Sequence, residues 1–98
     1  MNSMEVELLN AIKYVTKDKR NRTLIHFRVL GENAVSSSDK FKGVTILDGY
    51  FDGFEVFDRI PVNYFGCKVT LYYEKQPSKN DPFKEVTKIV KLNDINLT

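Results

Sequence analysis

Cysteine occurs once in this 98-residue chain, at Cys67. An internal disulfide and any metal site built on paired cysteines are therefore excluded, and a reducing compartment fits. Histidine also occurs once, at His26, among basic neighbours. A hydrolytic triad would need it beside Cys67 or a serine together with a carboxylate, and no surrounding motif supplies that set. Cys67 follows a glycine and reads as a small buried residue rather than a nucleophile. The 5 glycines never form a phosphate-cradling motif. No apolar run approaches the ~18–20 residues of a membrane span. The opening residues, MNSMEVELLNAIKY, are too polar and acidic for a secretory signal. The expectation is a cytoplasmic protein without membrane contact, cofactor or catalytic centre.

What is present points to strands. The hydrophobic share is 42% and the charged share 29%, which places the chain among globular rather than disordered proteins. Aromatics make up 12%, all Tyr and Phe, and they favour strands as the many Val, Ile and Thr do. The length suits one domain over 1–98 with a modest core and no staples.

Residues 4–16 read as a first strand, with a phase change at Leu9-Asn10 that predicts a bulge or strong bend. TLIHFRVL (23–30) reads as a second, with Ile25, Phe27 and Val29 on one face and Leu24, His26 and Arg28 on the other. The connection TKDKRNR is a polar, basic hairpin turn. GENAVSSSDKFKG (31–43) reads as a turn and loop, and VTILDGYF (44–51) as a third strand weakened by Gly49. In 53–66, Phe54, Phe57 and Ile60 follow helical spacing, yet Pro61 bars Ile60 from easy helix. A short helix from about Pro61 to Phe65, ended by Gly66, is the expectation. CKVTLYYEK (67–75) alternates cleanly and reads as a fourth strand. QPSKNDP (76–82) is a second polar turn, FKEVTKIVKL (83–92) a fifth strand with helix as the alternative, and 92–98 a weakly ordered tail.

Net charge is only +2 but unevenly spread. Lys13, Lys17, Lys19, Arg20, Arg22 and Arg28 oppose Asp18 alone, a local +5. Lys68, Lys75, Lys79, Lys84, Lys88 and Lys91 oppose Glu74, Asp81 and Glu85, a local +3. The stretch 39–59 is acidic by 2, and Asp52, Glu55 and Asp58 read as a solvated acidic face. Single-stranded nucleic acid needs cations along its phosphates and flat side chains for its bases. The candidate set is Lys13, Tyr14, Lys17, Lys19, Arg20, Arg22, His26, Arg28, Lys68, Tyr72, Lys75, Lys79, Phe83 and Lys84, with Tyr14, Tyr72 and Phe83 as stacking platforms.

A bent first strand, a basic hairpin, a third strand, a short helix and a final hairpin match the OB fold, whose first and last hairpin loops flank its binding face. On TKDKRNRTLIHFRV (16–29) and IPVNYFGCKVTLYYEKQPSKNDPFKEVTKIVKL (60–92), close to half the chain, the sequence resembles the compact OB-fold single-stranded DNA-binding proteins of phages and plasmids. That family commonly carries an acidic tail, whereas NDINLT offers only Asp94. The resemblance implies a cofactor-free binder of single-stranded DNA, with RNA as the alternative ligand. It also implies a homodimer or higher oligomer, used in replication or recombination of a phage or mobile element. The fold it implies is mainly β: a five-stranded OB-like Greek-key barrel with one short helix between strands 3 and 4. In that barrel Ile25, Phe27, Val29, Val69, Leu71 and Tyr73 should be buried. The competing reading is a small phage-type interaction or inhibitor protein. It would use DGYFDGFEVFD (48–58), with Tyr50, Phe51, Phe54 and Phe57 as anchors.

Overall fold

Alternation in the first two strands dictates a hairpin with one oily face, and that hairpin founds the barrel. In the computed structural model, which describes residues 2–77, 85–93 and 95–96, β1 (Asn2–Val15) pairs antiparallel with β2 (Asn21–Val29). The register slips between Leu8 and Asn10, the bulge that the phase change at Leu9-Asn10 predicts. At that point β1 also leaves its other neighbour: the Gly66 N–H donates to the Leu8 carbonyl at 2.7 Å, and beyond it β1 pairs, among the described residues, with β2 alone.

The segment read as a loop contains a 3-10 turn at Gly31–Asn33 and a small hairpin, β3 (Val35–Ser37) with β4 (Lys42–Val44). The Ser38 hydroxyl accepts the N–H groups of Lys40 and Phe41, so the serine run forms a tight turn rather than a slack one. The third barrel strand is β5 (Ile46–Asp52), paired antiparallel with β2. The helix comes earlier than expected, α1 at Glu55–Arg59, and Val62–Tyr64 after Pro61 forms only a 3-10 turn. Pro61 forces the preceding residue out of helix, so α1 must end before it. What fixes α1 is burial of Val56 and Ile60, four residues apart.

β6 (Lys68–Pro77) pairs with both β1 and β7 (Glu85–Leu92), which excludes the helical alternative for the latter. A single parallel bridge, Tyr50 with Lys88, joins β5 to β7. The sheet order β5-β2-β1-β6-β7 is thereby closed into a five-stranded OB-like barrel. Of the segment read as a tail, Leu92 is fully buried, β8 (Ile95–Asn96) pairs back onto β7, and residues 94, 97 and 98 lie outside the described residues. No helix among the described residues is long and apolar enough to cross a membrane.

The core takes Val6 and Leu8 from β1, Ile25, Phe27 and Val29 from β2, Phe51 from β5, Val69 and Leu71 from β6, and Ile89 and Leu92 from β7. Each such side chain contributes ~1.5–3 kcal/mol on burial. Of the six residues expected inside, five are buried. Tyr73 is only half-buried, because it pairs with Asn2 at the very start of β1, where the wall runs out. Thr23 is the one buried polar side chain among the described residues, and its hydroxyl donates to the Gly53 carbonyl at 2.9 Å. Gly53 itself takes a φ of 83°, a left-handed conformation suited to glycine, and its N–H donates to the Asn21 carbonyl at 2.7 Å. These two bonds tie the end of β5 to the start of β2.

Candidate nucleic-acid interface

With Thr23, Ile25 and Phe27 committed to the core, alternation turns Arg22, Leu24 and His26 outward. Register then builds rows across β1, β2 and β5. Tyr14, Arg22 and Asp52 form one row, Ile12, Leu24 and Tyr50 the next, and Asn10, His26 and Asp48 a third. A groove of about 510 Å³ runs between this face, the β1–β2 turn and the β6–β7 hairpin. Lys17, Arg20, Arg22 and Lys88 bring cations to it, Asp18 and Asp52 bring carboxylates, and Tyr50 and Gln76 complete its centre. A second hollow of about 320 Å³ shares Arg22, Tyr50 and Val86 with the first and extends past Tyr14, Leu24 and Lys75.

The turn at one rim is held by its own side chains. The Thr16 N–H donates to the Arg20 carbonyl at 2.9 Å, and Lys19 takes a left-handed φ of 61° at the tip. The Thr16 hydroxyl donates to Asp18 and accepts the Arg20 N–H, while Arg20 Nε donates to Asp18 at 3.0 Å. The Thr16 hydroxyl above all, with a backbone N–H and Arg20 behind it, holds the Asp18 carboxyl below the usual carboxylate range. Lys17 and Lys19 meet no carboxylate among the described residues.

The centre of the groove is a stacked cation. The Arg22 guanidinium carbon lies 4.1 Å from the Tyr50 ring centroid. The Tyr50 hydroxyl donates to Gln76 Oε1 at 3.2 Å. Asp52 reaches Arg22 Nε at 3.8 Å with one oxygen and Lys88 Nζ at 3.3 Å with the other. Because 3.8 Å is too long for a hydrogen bond, the buried Arg22 Nε keeps no hydrogen-bond partner among the described residues. The arrangement can take a phosphate and present a flat guanidinium to a base.

Of the expected site residues, the groove and its extension unite Tyr14, Lys17, Arg20, Arg22 and Lys75. Lys19 stands at the tip of the turn, and His26 lies one row beyond Leu24, bonded to Asn10 Oδ1 at 2.7 Å. Three groups lie elsewhere. Lys13 turns to the α1 side, where its ammonium sits 5.5 Å from the Phe54 ring and 4.8 Å from that of Phe57. Arg28 pairs with Glu7 at 2.7 Å toward the far end of β2. Lys68 and Tyr72 belong to the outer wall of β1, β6 and β7, Lys68 paired with Glu5 at 3.1 Å and Tyr72 beneath Lys91. Lys79, Phe83 and Lys84 lie outside the described residues. Cys67 is exposed rather than buried, its Sγ 3.2 Å from the Asn63 carbonyl, because it sits before β6 enters the wall.

Sequence reading placed Tyr50 only among the anchors of the competing reading, counted Lys88 only as part of a basic stretch, and did not single out Gln76. Tyr50 was legible in principle, since alternation with the inward Phe51 turns it to the face that carries Arg22. Gln76 and Lys88 had no local signal, because they arrive through the β6–β7 hairpin and the closing bridge. No group of His, Cys, Asp and Glu side chains able to hold a metal ion forms among the described residues. No protein-family model matches the chain, and no curated protein matches it.

Proposed function

We propose that the protein binds single-stranded nucleic acid, DNA in the first place, with little sequence preference and without catalysis. The observation that carries this reading is the Arg22–Tyr50 stack in a groove flanked by Lys17, Arg20 and Lys88. It lies on the face where OB barrels take oligonucleotides or oligosaccharides. Cations at both rims favour a polyanion over a neutral sugar. Phosphates would meet Lys17, Arg20, Lys88 and the edge of Arg22, and bases would stack on Tyr14, the Arg22 plane and the apolar Ile12–Leu24 row. The resemblance to phage and plasmid single-stranded DNA-binding proteins extends the proposal to replication or recombination of a mobile element, and to a homodimer or higher oligomer.

The interaction-protein reading is weaker on the geometry. Two of its four anchors, Tyr50 and Phe51, are 7% and 2% exposed. Phe54 and Phe57 are covered in part by Lys13. The deciding measurement is fluorescence anisotropy of labelled oligothymidine at several salt concentrations. Binding should be tighter than for duplex and should weaken with salt by a log–log slope of roughly −0.7 per phosphate contacted. Undetectable binding at low salt by folded protein would overturn the proposal and favour a protein partner.

A further inference from the structure

We infer that Asp52 is an internal competitor for the anion that this groove takes. In the free protein its carboxylate occupies the place between Arg22 and Lys88 that a backbone phosphate would take in the complex. The inference rests on the nucleic-acid reading of the groove.

The position is set by the backbone. Asp52 ends β5 directly opposite Arg22 on β2, and Lys88 is brought alongside by its bridge to Tyr50. Each carboxylate oxygen meets a different cation, at 3.8 Å from Arg22 and 3.3 Å from Lys88. Both contacts exceed the ~2.7–2.9 Å of a good charge-assisted hydrogen bond. The same molecule makes such a bond elsewhere: Arg28 meets Glu7 at 2.7 Å. Exposure points the same way. The Asp52 side chain is 57% exposed, against 16% for Arg22 and 31% for Lys88. The acid is therefore the outer, displaceable member, while Arg22 is held by its stack on Tyr50. The buried Nε of Arg22, like that of Arg28, has no hydrogen-bond partner among the described residues. Asp52 is near enough to neutralise that guanidinium and too far to satisfy it. A backbone phosphate, with two charged oxygens, can pair with both cations at shorter range once Asp52 moves aside.

An incoming strand must then push the Asp52 carboxylate aside or bind beside it. Either way affinity is held below what Arg22 and Lys88 alone would give. Asp52→Asn keeps the shape and removes the charge. One charge a few ångströms away at a partly exposed site corresponds to an affinity gain of about tenfold at low salt. The log–log salt slope should steepen by roughly 0.7, the increment for one more phosphate neutralised on a single strand. Asp39→Asn makes the same change of net charge on the exposed β3–β4 turn, beyond the other end of β5. It should change affinity less than about twofold, since exposed charges beyond ~10 Å are screened.

The experiment is oligothymidine anisotropy on the full chain, wild type against Asp52→Asn and Asp39→Asn, at several salt concentrations, with circular dichroism to confirm folding. A gain confined to Asp52→Asn, with a steeper slope, is the expected result. If wild type binds and Asp52→Asn binds equally or more weakly, the inference is overturned and the nucleic-acid reading stands. An equal gain in Asp39→Asn would also overturn it, because net charge would then explain the effect. If neither wild type nor Asp52→Asn binds at low salt, the nucleic-acid reading falls and the inference with it. Should Asp52→Asn not fold, Asp52→Ser decides on the same criteria.

Discussion

Closure of the barrel turns on Gly49, and replacing it by alanine is the sharpest test of the architecture. A methyl group built there would lie 2.8 Å from Cγ1 and 2.9 Å from Cδ1 of Ile89, and 3.3 Å from Cγ2 of Thr87. Ile89 is 2% exposed, and Cγ1 is not the free end of a flexible chain, so it has nowhere to swing. Two effects oppose each other. Alanine in a strand interior gains ~0.5–1 kcal/mol over glycine. Overpacking of a tight core costs ~1–3 kcal/mol. Gly49 is not held at a left-handed φ, so no backbone strain enters, and the clash decides the sign.

A contact as short as 2.8 Å puts the overpacking in the upper half of that range, about 2–3 kcal/mol. The net loss for Gly49→Ala should therefore be about 1–2.5 kcal/mol, or a fall in Tm of roughly 4–20 °C at about 4–8 °C per kcal/mol for this size. Thermal unfolding followed by circular dichroism measures it. A double-mutant cycle with Ile89→Ala adds a check. Ile89→Ala alone should cost ~2–5 kcal/mol as a cavity, and in its presence Gly49→Ala should cost nothing further, a coupling of about 1 kcal/mol or more. A Gly49→Ala protein as stable as wild type would refute the reasoning, since β5 and β7 would then not approach as closely as closure demands.

The other predictions concern the groove and the assembly. Arg22→Ala should lower oligothymidine affinity by about 1–3 kcal/mol, the usual worth of a stacking contact. Tyr72→Ala, on the outer wall with Lys91, should change it less than about twofold in the same anisotropy assay. The Asp18 carboxyl titrates lower in the folded turn than in the unfolded chain, so its stabilising bonds are fully present above the ordinary carboxylate value and are lost as pH falls through the lowered one. Asp18 side-chain and Arg20 amide shifts followed by NMR should therefore move together below the range where free aspartate titrates. Beyond the bulge, the β1 edge from Asn10 to Val15 pairs, among the described residues, with β2 alone and exposes Ile12 and Val15, so a homodimer or larger assembly is expected. Light scattering that returns the monomer mass at working concentration would reject it.

Much of the barrel is written locally. The alternation of Ile25, Phe27 and Val29 against Leu24, His26 and Arg28 fixes one face of β2, because a one-residue slip would bury the charges. The bulge in β1 shows as a break in phase, because an extra residue reverses the alternation after it. The α1 helix was harder to place. Phe54, Phe57 and Ile60 carry the visible helical spacing, yet of these only Ile60 is buried, and it goes in with Val56. Which apolar face plugs the barrel depends on the shape of the hole, and that shape belongs to the closed sheet. The β3–β4 hairpin was hidden because Ser37-Ser38-Asp39 is loop chemistry, while its pairing rests on Val35 facing Val44.

The candidate site was half legible for a more general reason. A charged hairpin tip cannot be buried, so Lys17, Lys19 and Arg20 had to be surface cations whatever the fold. Alternation then separates inside from outside, and it turns Arg22 and Tyr72 outward with equal force. It does not say which outer wall each strand supplies. Arg22 and Tyr50 meet because β2 and β5 pair with Leu24 opposite Tyr50 and Arg22 opposite Asp52. Lys88 joins them only because β5 and β7 close in parallel. Tyr72, equally well alternated, faces away because β6 lies on the other side of β1. The groove is thus a product of strand order, and strand order is decided by long-range pairing that no short stretch of sequence encodes. A test of the site by mutation should accordingly be read in pairs across strands. If Arg22 and Tyr50 act as one stack, Arg22→Ala and Tyr50→Leu should each lower oligothymidine affinity and together lower it by little more than either alone. Fully additive losses would mean that the two side chains contact the strand independently and that the stack is not the feature that binds.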